Sequence, residues 1–271
     1  MKKIFFPLVL ICVFVSAYAQ TKIAIIPQPV SVAEKAGNFL LKNNTIINVT
    51  NADADALFAA GYLSKKNTAS TSYKTQTRKN GIAANINLML LSKKSDKLGK
   101  EGYLLTVNPK QVNVTANTAA GLFYGIQSFI QLLPPQIESN TVVKNIVWQA
   151  PCAEIKDYPR FGWRGLMIDV ARHFFTKQEV KEFIDDMIKY KYNVLHIHLT
   201  DDQGWRIEIK SLPKLTEVGA WNVKREGTFN NFAPVTPDEP KNYGGFYTQD
   251  DIRELIKYAK ERFVDILPEI E

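Results

Sequence analysis

The chain has 271 residues, 45% hydrophobic and 11% aromatic, with a formal charge of +7. That is length for two modest domains or one barrel, with enough apolar content to exclude a disordered chain. The charge is spread along the sequence without a dense Lys/Arg block. A solvated basic surface is expected, with no nucleic-acid partner and no anionic-membrane patch.

Residues 1–19 read as a secretory signal peptide. Lys2 and Lys3 form the positive start, Ile4 to Val15 the apolar run, and Ala17-Tyr18-Ala19 the cleavage site before Gln20. The run is too short for a comfortable membrane span. Ile11 stands where a lipoprotein signal at Cys12 would have a small residue. Export to the periplasm or the medium is expected. Cleavage leaves Cys152 as the lone cysteine, so no internal disulfide is expected and Cys152 should pack as a small apolar residue.

Residues 20–150 read as one α+β domain. Extended stretches are expected within Ile23 to Val32 and Phe39 to Val49, and a helix from Ala52 to Lys65. Alternation through Ile82, Ala84, Ile86, Leu88 and Leu90 predicts a strand. Tyr103 to Val107 and Gln111 to Thr115 flank Asn108-Pro109-Lys110 as a hairpin. Leu122, Phe123, Ile126, Phe129, Ile130 and Leu133 fall at helical spacing as a core face, and Pro134-Pro135 stops that helix. Pro134 to Pro159 reads as a linker with one short strand near Ile146 to Trp148.

Residues 151–271 show a different pattern. Leu166 to Ala171 is strand-like. Thr176 and Glu179 form a capping box, followed by a helix with Val180, Phe183, Ile184, Met187 and Ile188 as its buried stripe. Asn193 suits a left-handed exit into the strand Val194 to Leu199. Strand, helix, strand with short links predicts a parallel βαβ unit. A long excursion from Asp202 to Tyr247 has the length of a functional elaboration. Thr248 opens a helix with Ile252, Leu255, Ile256, Ala259 and Phe263 on one face, and Val264 to Ile270 is a third strand interrupted by Pro268.

Polar residues gather where these strands end. Arg172 can clamp a carboxylate, a phosphate or vicinal sugar hydroxyls with its planar donors. Asp169, inside an apolar strand, needs a partner if buried. His196 and His198 share a strand face, a spacing that can hold a metal; His173 is the remaining histidine, and hydrogen-bonded imidazoles are preferred over a metal site. Asp201 and Asp202 are paired carboxylates. Either can serve acid–base chemistry, orient a histidine, or start the turn.

Arg164 to Phe175, His196 to Trp205, Gly244 to Thr248 and Ile266 to Glu271, with Ala120 to Gln127 and Gln131 to Pro134 upstream, resemble family-20 glycoside hydrolases, the β-N-acetylhexosaminidases. The resemblance covers nearly all of the chain after the leader. It implies a small N-terminal α+β domain followed by a TIM (β/α)8 barrel, of which this chain carries the first strands and helices. It implies removal of terminal N-acetylglucosamine or N-acetylgalactosamine from glycans with retention, the substrate's 2-acetamido oxygen serving as nucleophile. No cofactor and no metal are implied.

By match of position, Arg172 grips the ring hydroxyls of the terminal sugar, and Asp201 supports the acid through an intervening histidine. Arg160, Arg164, His196 and His198 receive no role. The acid Glu, the acetamido-orienting Asp and the relay histidine are expected beyond Glu271. No catalytic residue is therefore expected within these residues, and the 271-residue chain alone is expected to be inactive. Two other readings are a glycan-binding relative without chemistry and a metal-dependent hydrolase using His196 and His198.

Overall fold

The computed structural model describes residues 23–81, 84–224, 227–228, 231–232 and 234–271. The leader, its cleavage site, Cys12 and Ile82 lie outside the described residues.

The first unit is a seven-stranded mixed sheet. Its strands are β1 (Ser31–Leu40), β2 (Thr45–Thr50), β3 (Thr75–Lys79), β4 (Ile86–Leu90), β5 (Tyr103–Val107), β6 (Val112–Ala116) and β7 (Gln149–Asp157), in the order β1-β7-β5-β6-β4-β2-β3. Two helices, α1 (Ala54–Thr71) and α2 (Ala119–Leu132), pack against it. Period-2 alternation decides which side chains meet them. Ile47, Val49, Ile86, Leu88, Leu105 and Val114 are buried, while Met89 and Leu104 between them are exposed. Each such burial is worth about 1.5–3 kcal/mol of apolar transfer.

The predicted hairpin forms. Its turn is held by Asn108, whose side chain accepts from Lys110 N (2.9 Å) and Gln111 N (3.0 Å).

Other boundaries move for physical reasons. Within Phe39 to Val49 the end of β1 and the start of β2 are separated by a turn at Asn43-Asn44, and β1 reaches back to Ser31. Asn44 is left-handed (φ 63°), and the Asn43 side chain accepts from Lys74 N at 2.8 Å. Helix α1 runs past Lys65 to Thr71. There the Ser70 and Thr71 hydroxyls donate back to Lys66 and Asn67 carbonyls, and burial overrides weak propensity. Strand β3, Thr-Gln-Thr-Arg-Lys, leaves no apolar period to read, because it is a polar edge strand.

The linker reading of Pro134 to Pro159 is overturned. Gln149–Asp157 is a strand paired on both sides, with β1 and with β5, and it straddles the division placed between residues 150 and 151. Small residues hid it: Ala150, Cys152 and Ala153 are buried without a bulky alternating pattern. Cys152 packs as expected, and burial raises its thiol pKa.

The second unit has three parallel strands, β8 (Gly165–Asp169), β9 (Val194–His198) and β10 (Asp265–Glu269), in that spatial order. Helix α3 (Lys177–Lys189) links the first two, and α4 (Gln249–Lys260) leads into the third. Both helices begin in complete capping boxes, Thr176/Glu179 and Thr248/Asp251. Leu195 and Ile197 face the helices and are buried, whereas Met167 (53% exposed) and Leu267 (40%) lie on the opposite face.

Three local expectations change here. Lys191, not Asn193, takes the left-handed position after α3 (φ 62°), and the Asn193 amide instead bonds Gly162 O and Glu101. Pro268 does not interrupt its strand, because β10 is paired on one side only and an outward-facing N–H can be missing without loss. Ile256 is exposed, unlike Leu255 and Ala259.

Helix α2 lies between the two units, which is why it is buried almost all round rather than on one face. Phe123 packs on Phe263 (5.2 Å between ring centroids) and Gln131 donates to Lys189 O (2.9 Å). Among the described residues three ion pairs cross the same junction, Arg164–Glu101 at 2.7 Å, Lys191–Asp157 at 2.8 Å and Lys189–Glu138 at 3.5 Å. Among the described residues no helix is long and apolar enough to cross a membrane.

Candidate active site

Parallel strands bring their carboxyl ends to one edge. Register places Asp169 beside His198 and His198 beside Glu269, so one row of the second unit's sheet carries carboxylate, imidazole and carboxylate. The next row holds Met167, His196 and Leu267. Since side chains alternate faces, all these groups project from the side away from α3 and α4.

His198 is the hub and is buried. Its Nδ1 is 2.6 Å from Glu269 Oε2, and its Nε2 is 2.9 Å from Asp201 Oδ2. His196 Nε2 lies 2.9 Å from the same Glu269 oxygen. Burial acts to lower the His198 pKa, but hydrogen bonds to Glu269 and Asp201 outweigh it and leave it raised. The His198 hydrogen bond holds Glu269 below its ordinary value. It does the same for Asp201, helped by the Asp202 N–H and the Arg172 charge.

Arg172 joins this cluster from the loop after β8. Its guanidinium bonds Asp169 Oδ2 through Nη1 (2.9 Å), pairs with Asp201 through Nη2, and approaches His198 Nε2 (3.3 Å). The Asp169 hydrogen bond raises its pKa above the ordinary value. Asp169 also accepts from Ala171 N (3.1 Å) and Arg172 N (3.0 Å), which pins the backbone carrying the guanidinium. Nearly half of the Arg172 side chain (46%) stays exposed, so the cation is aimed but open to a ligand.

Arg172 and Asp201, the two residues singled out by the resemblance, are therefore in contact. Asp202 is exposed and only its N–H reaches Asp201. Arg164 belongs to the junction between the units, and Arg160 stacks on Phe161 there. His173 sits at the rim, hydrogen-bonded to Tyr243. Glu271 is 3.8 Å from His198 Nε2, and donor atoms of His198, Asp201 and Glu271 lie within 4.8 Å of one another. That spacing admits a cation, but His198 and Asp201 are already engaged by Glu269 and Arg172. Glu269 was missed in the sequence. The clue was its place at the end of the third strand, level with His198 and Asp169.

Residues 161–271 match the catalytic domain of glycosyl hydrolase family 20, and residues 22–158 match domain 2 of that family. A beta-hexosaminidase of Porphyromonas gingivalis is 37% identical over 255 residues, covering 92% of this chain and 30% of that protein. One from Vibrio furnissii is 36% identical, covering 92% and 37%. The Streptomyces plicatus N-acetyl-beta-hexosaminidase in complex with Thio-NAglucal superimposes with a TM-score of 0.79 at 36% identity, over 91% of this chain and 45% of that one. The chain thus spans less than half the length of each of these relatives. With both of its parts matched in order, the chain belongs to glycosyl hydrolase family 20, a family of glycoside hydrolases.

Proposed function

We propose that the protein is an exported exo-β-N-acetylhexosaminidase whose second unit opens a (β/α)8 barrel. Its substrates are glycans ending in β-linked N-acetylglucosamine or N-acetylgalactosamine. The substrate's 2-acetamido oxygen attacks C1 as the C1–O glycosidic bond breaks, and a carboxylic acid protonates the departing oxygen. Water then opens the cyclic intermediate with net retention. The acid and the acetamido-orienting carboxylate belong to the whole protein's activity and come from outside these residues. Neither a metal nor a cofactor enters the proposed steps.

Within this chain, Arg172 holds the ring hydroxyls of the terminal sugar and Asp201 supports the acid. The observation that carries this reading is the half-exposed Arg172 guanidinium, fixed from behind by Asp169 and Asp201 at the carboxyl ends of parallel strands. A pre-oriented planar donor loses little freedom on binding vicinal hydroxyls.

The test is hydrolysis of 4-nitrophenyl N-acetyl-β-glucosaminide by the complete protein. Arg172→Ala should lower kcat/KM by roughly tenfold or more, because charge-assisted hydrogen bonds to the sugar are lost. Binding of N-acetylglucosamine-terminated glycans without turnover would favour the non-catalytic relative. Wild-type rates from Arg172→Ala would remove Arg172 from sugar binding.

A further inference from the structure

We infer that Arg206 is a positioning residue for Arg172: a buried guanidinium that fixes the strand-end backbone from which Arg172 projects. Arg206 lies in the excursion after β9 and is 1% exposed. Among the described residues its side chain makes no ion pair. It is spent on four backbone carbonyls. Nε donates to Val170 O (2.9 Å), Nη2 to Ala171 O (2.7 Å), and Nη1 to Ala220 O (2.5 Å) and Gly245 O (3.1 Å). Its main chain ties in two further places, donating to Leu199 O (2.9 Å) and accepting from Tyr247 N (2.8 Å).

These partners have a common consequence. Val170 and Ala171 link β8 to Arg172, and their carbonyls face Arg206. The amides of Ala171 and Arg172 face Asp169. Donors of one side chain and an acceptor of another thus hold both polarities of a short irregular segment whose last tie to the sheet is the Val170 N–H donating to His198 O (3.3 Å). The same guanidinium reaches Ala220 and Gly245, so the excursion is fastened to the segment that presents Arg172. A planar fork can meet carbonyls in several directions at once, which an ammonium cannot.

The glycines around Arg206 are a second, independent sign that this arrangement is built. A Cβ at Gly204 would overlap the Arg206 guanidinium itself. One at Gly244 would overlap Ala220 O and come within 2.9 Å of Arg206 Nη1. One at Gly245 would enter the ring of Phe174, over which the guanidinium sits at 5.6 Å. Gly244 (φ 146°) and Gly245 (φ 154°) also adopt backbone angles that side chains disfavour.

The positional claim stands on this geometry; its effect on sugar binding rests on the function proposed above. Two variants of the complete protein test it. Arg206→Lys keeps the charge and loses the fork. Gly204→Ala keeps Arg206 and pushes its guanidinium out of place.

Both should raise KM for the nitrophenyl substrate and Ki for N-acetylglucosamine by roughly tenfold, about 1.4 kcal/mol of lost binding. In an Arg172→Ala background, Arg206→Lys should change kcat/KM by less than roughly twofold, because it acts through a group already absent. A fall in kcat at unchanged KM, or the same loss in both backgrounds, overturns the inference. Crystal structures give a readout free of activity. In Gly204→Ala the Arg172 guanidinium should leave Asp169 and Asp201, and an unmoved Arg172 overturns the inference even if the hexosaminidase reading fails.

Discussion

Lys191→Met tests how the two units are held together. Lys191 crosses the junction from the left-handed residue after α3. Its Nζ donates to Asp157 Oδ2 (2.8 Å) and to Tyr103 OH (2.9 Å), and the Tyr103 hydroxyl also contacts Ser128 Oγ (2.5 Å). The two charged side chains are only 7% and 13% exposed. Burial holds the Lys191 pKa below its ordinary value although Asp157 pulls it up, so desolvation outweighs attraction in this pair. Burial, with the Asp157 charge behind it, pushes the Tyr103 phenol well above its ordinary value and keeps it a donor.

A pair of this kind adds little net stability, yet losing one partner is costly because the other charge stays buried. Lys191→Met keeps the stem and removes the ammonium, and should cost about 3–5 kcal/mol. That is a large part of the ~5–15 kcal/mol by which domains are stable. Adding Asp157→Asn should restore about half of the loss or more, since no uncompensated charge remains. Urea titration followed by circular dichroism measures both. A single-variant loss below about 1 kcal/mol would refute the reasoning. So would a double variant worse than the single one.

Four further outcomes follow from other contacts in the fold. Thr248→Ala removes the α4 cap, which accepts from Asp251 N at 3.1 Å, and should cost about 0.5–2 kcal/mol in thermal or urea denaturation; an unchanged midpoint would show the cap is redundant. The Asp251 carboxylate is held at about 2, first by Lys177 and then by Thr248, so its contribution is present above the ordinary carboxylate range and fades as pH falls toward 2; Asp251→Asn should therefore approach wild-type stability in acid melts. His198 has a raised pKa, so the stability from its protonated form is complete below about pH 6.5 and is lost as pH rises through the folded value. His198→Gln should flatten the decline of Tm as pH rises above about 6.5, and an unaltered slope would assign that decline elsewhere. Asp201→Asn in the complete protein should shift the acid limb of kcat/KM, because it removes the charge that faces His198 and Arg172; a uniform fall at all pH values would contradict the supporting role.

Several features were legible because each is short-range. The apolar stripes of α2 and α3, most of that of α4, the capping box at Thr176 and the helix start at Thr248 appear where period and side-chain chemistry put them. The βαβ order was readable for the same reason, and so were Arg172 and Asp201 at strand ends. Strands β3 and β7 were not, since a polar edge and a run of small buried residues carry no period.

The sequence by itself determined the helices, the strands that carry an apolar period and which of them end in polar groups, because those depend on neighbours a few residues apart. Only the tertiary structure decided the rest. It set Asp169, His198 and Glu269 in one row, seated α2 between two units, and gave Arg206 four carbonyls from segments up to 39 residues away. The physical reason is register and burial: a parallel ladder aligns residues distant in the chain, and a buried polar group takes whichever partner the packed backbone brings within reach.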